Sequence, residues 1–286
     1  MFDYARPTSL QEVLSLLGDE PEARLLCGGT DLLVGLRKGT LRPPLVVDLK
    51  RVAELPPEIA ETAGMLRVGA TAPLTRLIAD ERVRTHFPAL VEAALVVGSI
   101  QIRNRATLAG NLCNASPAAD TAPPLLVYDA LVEMAGPQGR RRVPVGEFFV
   151  GPGRTALGPA EVVTAVEMPL PDRPLGAAFG RMTRRRGVDL ATVNLCCSMT
   201  SAGVTRFAYG AVGPRPFLVA DESGTLADAA ADPARQDEIL RRLTGQAAPI
   251  TNVRASAEYR QAMLEVLSRR ALETARHRLA QVSRAG

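Results

Sequence analysis

The sequence predicts an α+β chain: a small βαβ-like N-terminal piece, a mixed sheet, then a C-terminal three-stranded antiparallel sheet with helices. Three observations carry this. Short apolar runs at Ala23 to Cys27 and Leu45 to Asp48 flank a glycine turn and a helix-like segment, the pattern of a strand–loop–helix–strand unit with parallel strands. Pro169, Pro171 and Gly176 punctuate the chain and mark a boundary near residues 171–177. Beyond it, Ala177 to Met182, Leu190 to Thr200 and Val204 to Val212 are apolar runs separated by tight turns, which suits antiparallel strands.

The elements follow in order. Thr8-Ser9-Leu10-Gln11 reads as a capping box with Thr8 as cap, opening a helix whose face is Leu10, Val13, Leu14 and Leu17. Residues 54–58, with two prolines, read as a connector. Leu66 to Ala70 reads as a strand, and Thr71 and Pro73 open a helix to about Ala79. Phe87 to Val97 is apolar on all sides and reads as a buried helix. Leu131 to Ala135 and Arg141 to Val145 pair through Gly136-Pro137-Gln138-Gly139, a hairpin signal, and Glu161 to Met168 is a further strand. Val219 to Asp232, rich in Ala, Asp and Gly, reads as a connecting surface segment. Pro233 to Thr244 and Ser256 to Val282 read as helices, the last with an apolar stripe at Leu264, Leu267, Ala271, Ala275 and Leu279.

Two stretches carry chemistry. Leu26-Cys27-Gly28-Gly29-Thr30-Asp31-Leu32 is strand, glycine turn, cap and helix start. Paired glycines expose consecutive N–H groups and Thr30 adds a hydroxyl, a combination that suits an anion. Neither the Walker spacing nor Gly-x-Gly-x-x-Gly fits Gly28, Gly29 and Gly35. The second stretch, residues 100–129, is apolar yet full of small residues, amides and hydroxyls. Thr107-Leu108-Ala109-Gly110-Asn111 forms its turn, and Asp120, followed by Thr121 and two prolines, reads as the cap of the helix behind it. Two glycine-and-hydroxyl loops about 80 residues apart suggest one ligand with two phosphates, gripped by both.

Composition bounds the alternatives. The 286 residues carry 34 Lys and Arg against 30 Asp and Glu, so the excess is +4, and aromatics are 4% with no tryptophan. That argues against a nucleic-acid face. Arg140 to Arg142 and Arg184 to Arg186 read as solvated faces or a patch for a protein partner. No apolar run reaches transmembrane length. The N-terminus lacks a signal peptide's basic start and apolar centre, so the expected compartment is cytoplasmic. Cys27, Cys113, Cys196 and Cys197 show no Cys-x-x-Cys pair and are expected to be free thiols. With His86 and His277 they form no familiar metal site, and no nucleophile elbow or convincing catalytic base is present.

GGTDLL (28–33) and RNRATLAGNLCNASPAADTAPPLL (103–126) resemble the FAD-binding subunit of the molybdenum hydroxylases, the xanthine dehydrogenase and aerobic carbon monoxide dehydrogenase relatives. Further segments match in order: FDYARPTSLQEVLSLL, EFFVGPGRTALGPAEVVTAVEMP, RRRGVDLATVNLCC, AYGAVGPRP and EYRQAMLEVLSRRAL. The resemblance implies a two-subdomain FAD-binding domain over residues 1–175, split at about 56, and a C-terminal α+β domain over 176–286. It implies that Leu26, Cys27, Gly28, Gly29, Thr30, Asp31 and Leu32 wrap the FAD diphosphate. Thr107, Leu108, Ala109, Gly110 and Asn111 would form the second diphosphate loop. Asp120 would bind the hydroxyl-bearing portion, and Thr192 would lie towards the flavin ring. It implies partners as well: a small subunit with 2Fe-2S clusters and a large subunit with molybdopterin. Electrons would enter from the clusters and leave from FAD to NAD or another acceptor. Two other readings stay open: a stand-alone FAD oxidoreductase of the UDP-N-acetylenolpyruvoylglucosamine reductase type, and a binding module that has lost its flavin.

Overall fold

The computed structural model describes residues 2–285, which form two compact units. The first unit comprises Met1–Asp80, Gly98–Ala115 and Ala130–Pro169, and the second Glu81–Val97, Ser116–Asp129 and Leu170–Gly286. The units do not follow a single cut: residues 81–97 and 116–129 cluster with the C-terminal strands.

In the first unit β1 (Asp3–Ala5), β2 (Arg24–Leu26) and β3 (Leu45–Asp48) form a parallel sheet in the order β1-β3-β2. The expected parallel unit is therefore present, with an edge strand, β1, that three residues were too few to announce. The helix Leu10–Asp19 buries Val13 and Leu17 into a cluster with Ala23, Val47, Leu49, Val52 and Leu55. Its cap is Ser9, whose side chain accepts from Glu12 N, while the Glu12 carboxylate accepts from Thr8 N. The expected cap at Thr8 is corrected to Ser9, which has the same spacing to Glu12 as Thr8 has to Gln11, and Glu12 reaches back past the cap to Thr8 N.

The unit's second sheet holds β4 (Ile59–Thr62), β5 (Met65–Gly69), β6 (Leu131–Gly136) and β7 (Gly139–Pro144). A short ribbon, β8 (Phe149–Gly151) with β9 (Arg154–Thr155), precedes its central strand β10 (Val162–Pro169). The order is β4-β5-β10-β6-β7 and every pairing is antiparallel. The expected mixed sheet is thus corrected: β10 runs back between β5 and β6, a reversal that strand periodicity does not encode. Arg140 and Arg142 lie on an exposed face, as expected, and are ion-paired there. Glu133 accepts from Arg67 at 2.8 Å, Arg140 at 2.9 Å and Thr164, and Arg142 pairs with Glu167 at 2.7 Å. Burial works against the Glu133 carboxylate, but the bonds from Thr164 and Arg67 hold it below its usual range.

In the second unit β11 (Leu175–Met182), β12 (Val193–Thr200), β13 (Thr205–Gly210) and β14 (Phe217–Asp221) form an antiparallel sheet in sequence order. The expectation of three strands is corrected to four. Residues 217–221 lie partly in the stretch read as a surface segment, and most of the Ala, Asp and Gly content that suggested a connector follows them. Asp221 ends the strand by accepting from Ser223 N and Leu226 N. The helix Ala257–Ala285 lays Leu264, Leu267, Ala271 and Ala275 on this sheet, as its stripe predicts. It packs so closely that a Cβ on Gly176 would meet Ala275 O at 2.1 Å. Among the described residues no helix is long and apolar enough to cross a membrane.

Candidate functional site

The two predicted loops meet within the first unit. β2 ends at Leu26, and Cys27 to Asp31 turn the chain into the helix Leu32–Lys38. Gly29 takes a left-handed φ of 76°, open to glycine at little cost. A Cβ on Gly28 would fall 2.2 Å from Arg105 O and 2.9 Å from Ala106 Cα, so the two backbones touch where a side chain is missing. Cys27 Sγ donates to Ala70 O at 3.2 Å and accepts from Thr107 Oγ1 at 3.5 Å. Burial pushes the Cys27 thiol up despite the Thr107 bond, which keeps it protonated and part of the packing. Asp31 occupies the N-cap position but makes no side-chain cap bond, contrary to the capping role expected in this stretch.

The second loop is a helix start. Thr107 caps the helix Leu108–Cys113, its Oγ1 accepting from Gly110 N at 3.0 Å and its carbonyl from Asn111 N. Leu108 and Ala109 are buried beneath it, whereas Gly110 is exposed. Leu74 N donates to Ala106 O, so the strand-like residues before the cap are anchored on the chain that follows β5. The N–H groups of Gly29, Thr30 and Asp31 bond no acceptor among the described residues. Free N–H groups on a glycine turn beside a helix start make an anion-binding concavity.

Asp120 and Thr192 belong to the second unit. Asp120 is not a helix cap: the cap position of Ala122–Val127 is Thr121. Instead the buried Asp120 carboxylate accepts from Asn194 Nδ2 at 2.8 Å and faces Arg181 Nε at 3.3 Å. Burial pushes its pKa up to about 6, with Arg181 and Asn194 pulling the other way, so it is ionised at neutral pH. Thr192 is 1% exposed, and its Oγ1, like Asn194 Oδ1, is buried without a hydrogen-bond partner. Buried orphan groups cost free energy, and sites built to take a polar ligand carry them. Asn194 and Arg181 escaped the sequence reading. An amide inside the apolar run Val193-Asn194-Leu195-Cys196 was the available signal.

These residues fit a flavin nucleotide in kind: free N–H groups for a diphosphate, and a carboxylate and hydroxyl for hydroxyl-bearing or ring portions. They offer no acid–base pair. His86 lies exposed at the end of the helix Glu81–His86, and His277 hydrogen-bonds Gln281.

Known proteins resemble the chain in sequence and structure. The family model "FAD binding domain in molybdopterin dehydrogenase" matches residues 1–171, and "CO dehydrogenase flavoprotein C-terminal domain" matches 177–275. The xanthine dehydrogenase FAD-binding subunit of Escherichia coli O157:H7 is 33% identical, over 96% of this chain and 97% of its own. The carbon monoxide dehydrogenase medium chain of Afipia carboxidovorans is 30% identical, over 97% of each. Among solved structures, reconstituted CO dehydrogenase from Oligotropha carboxidovorans superimposes with a TM-score of 0.90 at 30% identity, covering 97% of this chain and 98% of that one.

Proposed function

Because the chain belongs to the FAD-binding subunit family of the molybdopterin dehydrogenases, we propose that it is the electron-exit subunit of such a complex. It takes electrons from the iron–sulfur clusters of a small partner subunit, while a large partner carries molybdopterin and the organic substrate. It delivers them to NAD or another acceptor. The medium-chain relatives, named as parts of larger enzymes, support the partners. Four free cysteines support a reducing, cytoplasmic setting. As sequence domains we assign 1–175, divided near 56, and 176–286.

FAD, when bound, supplies the redox chemistry, so the chain's own residues bind and orient. Leu26 to Leu32 would hold the diphosphate through the backbone N–H groups of Gly29, Thr30 and Asp31 and the Thr30 hydroxyl, and Thr107 to Asn111 would form the second diphosphate loop. Asp120, ionised at neutral pH, accepts hydrogen bonds from cofactor hydroxyls. Thr192 offers its orphan Oγ1 towards the flavin ring. The observation that carries this reading is the closure of Gly28 onto Arg105 beside three unbonded N–H groups.

The test is purification of the complex from its source with flavin, iron and molybdenum analysis. Two further subunits with all three are expected. The isolated chain is expected to bind FAD and to leave the organic substrate untouched. Full turnover by the chain alone would falsify the proposal.

A further inference from the structure

Arg260 is a buried cation whose hydrogen bonds all go to neutral oxygens. It lies near the start of the helix Ala257–Ala285 and is 3% exposed. Its Nη1 donates to the carbonyl oxygens of Thr192 at 2.5 Å and Ala211 at 3.2 Å, and its Nη2 to Asn252 Oδ1 at 2.9 Å. Nε is buried and bonds nothing. Burying a charge without a carboxylate is unfavourable, and packing alone does not require it, since a long apolar side chain fills the same volume.

The two carbonyls explain the arrangement. Thr192 immediately precedes β12, with its N–H on Met182 O. Two residues further on, Asn194 holds the Asp120 carboxylate. Ala211 follows β13 in a left-handed conformation, φ 61°, that side chains other than glycine avoid. Its N–H donates to Pro117 O at 2.7 Å, three residues before Asp120. One guanidinium fork therefore binds the strained peptide that anchors the Asp120 segment and the peptide that presents Thr192. Only arginine combines the reach with donors in that fixed plane.

We propose that Arg260 is a positioning residue of the flavin site, setting Thr192 and Asp120 through backbone carbonyls without touching the cofactor. The proposal rests on the assignment of Thr192 and Asp120 to FAD.

The experiment is titration of FAD into the deflavinated complex for wild type, Asp120→Asn, Arg260→Gln and the double variant. It is followed by flavin absorbance and visible circular dichroism. Asp120→Asn and Arg260→Gln are each expected to weaken FAD by about tenfold or more, the scale of one charge-assisted hydrogen bond. The double variant is expected to lose less than the product of the two, because both act on one segment. The dichroism of the flavin that does bind should change in Arg260→Gln. Arg260→Lys keeps the charge but cannot span both carbonyls and Asn252. It should show a smaller loss in the same direction, and it carries the test if the Gln variant does not assemble. Wild-type FAD affinity and dichroism in Arg260→Gln or Arg260→Lys, with only the melting temperature lowered, overturns the proposal, as does full additivity in the double variant. If Asp120→Asn and Thr192→Val leave FAD binding unchanged, it is the flavin assignment that has failed, and the two failures are told apart.

Discussion

Gly28 and Arg105 meet backbone to backbone, with the carbonyl oxygen of Arg105 2.2 Å from where a Cβ on Gly28 would stand. Neither side can yield by rotating a side chain. Gly28→Ala must push the two loops apart, and overpacking of this kind costs about 1–3 kcal/mol. We expect Gly28→Ala to lower both denaturant stability and flavin content, measured by urea unfolding and by the flavin-to-protein ratio.

Thr107 ends one loop and starts a helix. Thr107→Val removes the oxygen that accepts from Gly110 N and should cost about 1 kcal/mol, the usual worth of an N-cap. Thr107→Ser keeps the oxygen and should retain most of the stability. Equal melting temperatures for the Val and Ser variants would contradict this role.

Asp120 has its pKa raised from 3.8 to about 6, a displacement equivalent to on the order of 3 kcal/mol. A raised folded-state pKa means the folded chain binds the proton more tightly than the unfolded one. The stability this confers is complete below about pH 4 and is lost as pH rises through about 6. Asp120→Asn should flatten that part of the pH–stability curve in the flavin-free protein. Glu133 and Glu161, with lowered pKa values, act oppositely and lose stability as pH falls below their usual range. Denaturant unfolding between about pH 2 and 8 checks both signs, and an unchanged slope between pH 4 and 6 in Asp120→Asn would count against the shift.

Gly176 provides a control remote from the proposed cofactor residues. A Cβ there meets Ala275 O at 2.1 Å and Leu279 N at 2.6 Å, so Gly176→Ala lifts the last helix off β11. Destabilisation by about 1–3 kcal/mol is expected, with the visible absorbance of bound flavin unchanged. A shifted flavin spectrum in this variant would show that helix placement reaches the cofactor.

Local chemistry was the legible part. The hairpin at Gly136 to Gly139 and the stripe from Leu264 to Ala275 both follow from spacings within a few residues. What was misread depended on partners far along the chain. Asp120 followed by Thr121 and two prolines imitates a cap, and nothing nearby announces Asn194 as its partner. Arg140 and Arg142 are exposed as expected, but their ion partners Glu133 and Glu167 lie on other strands and nothing nearby announces them. Arg260 did leave a trace: it stands one helical turn before Leu264, on the buried stripe, where an arginine is out of place.

The second unit is assembled from three separated stretches of chain, and this bears on the order in which the protein can be made. Residues 81–97 and 116–129 leave the ribosome well before β11 to β14, against which the helices Pro88–Leu95 and Ala122–Val127 pack. Their apolar surfaces must wait, and such waiting segments are where aggregation begins. A fragment starting at residue 176 would lack both helices and leave the faces of β11, β12 and β13 that they cover exposed to water. Two family models divide the sequence tidily, yet cutting between them yields a second half that is missing part of its own core.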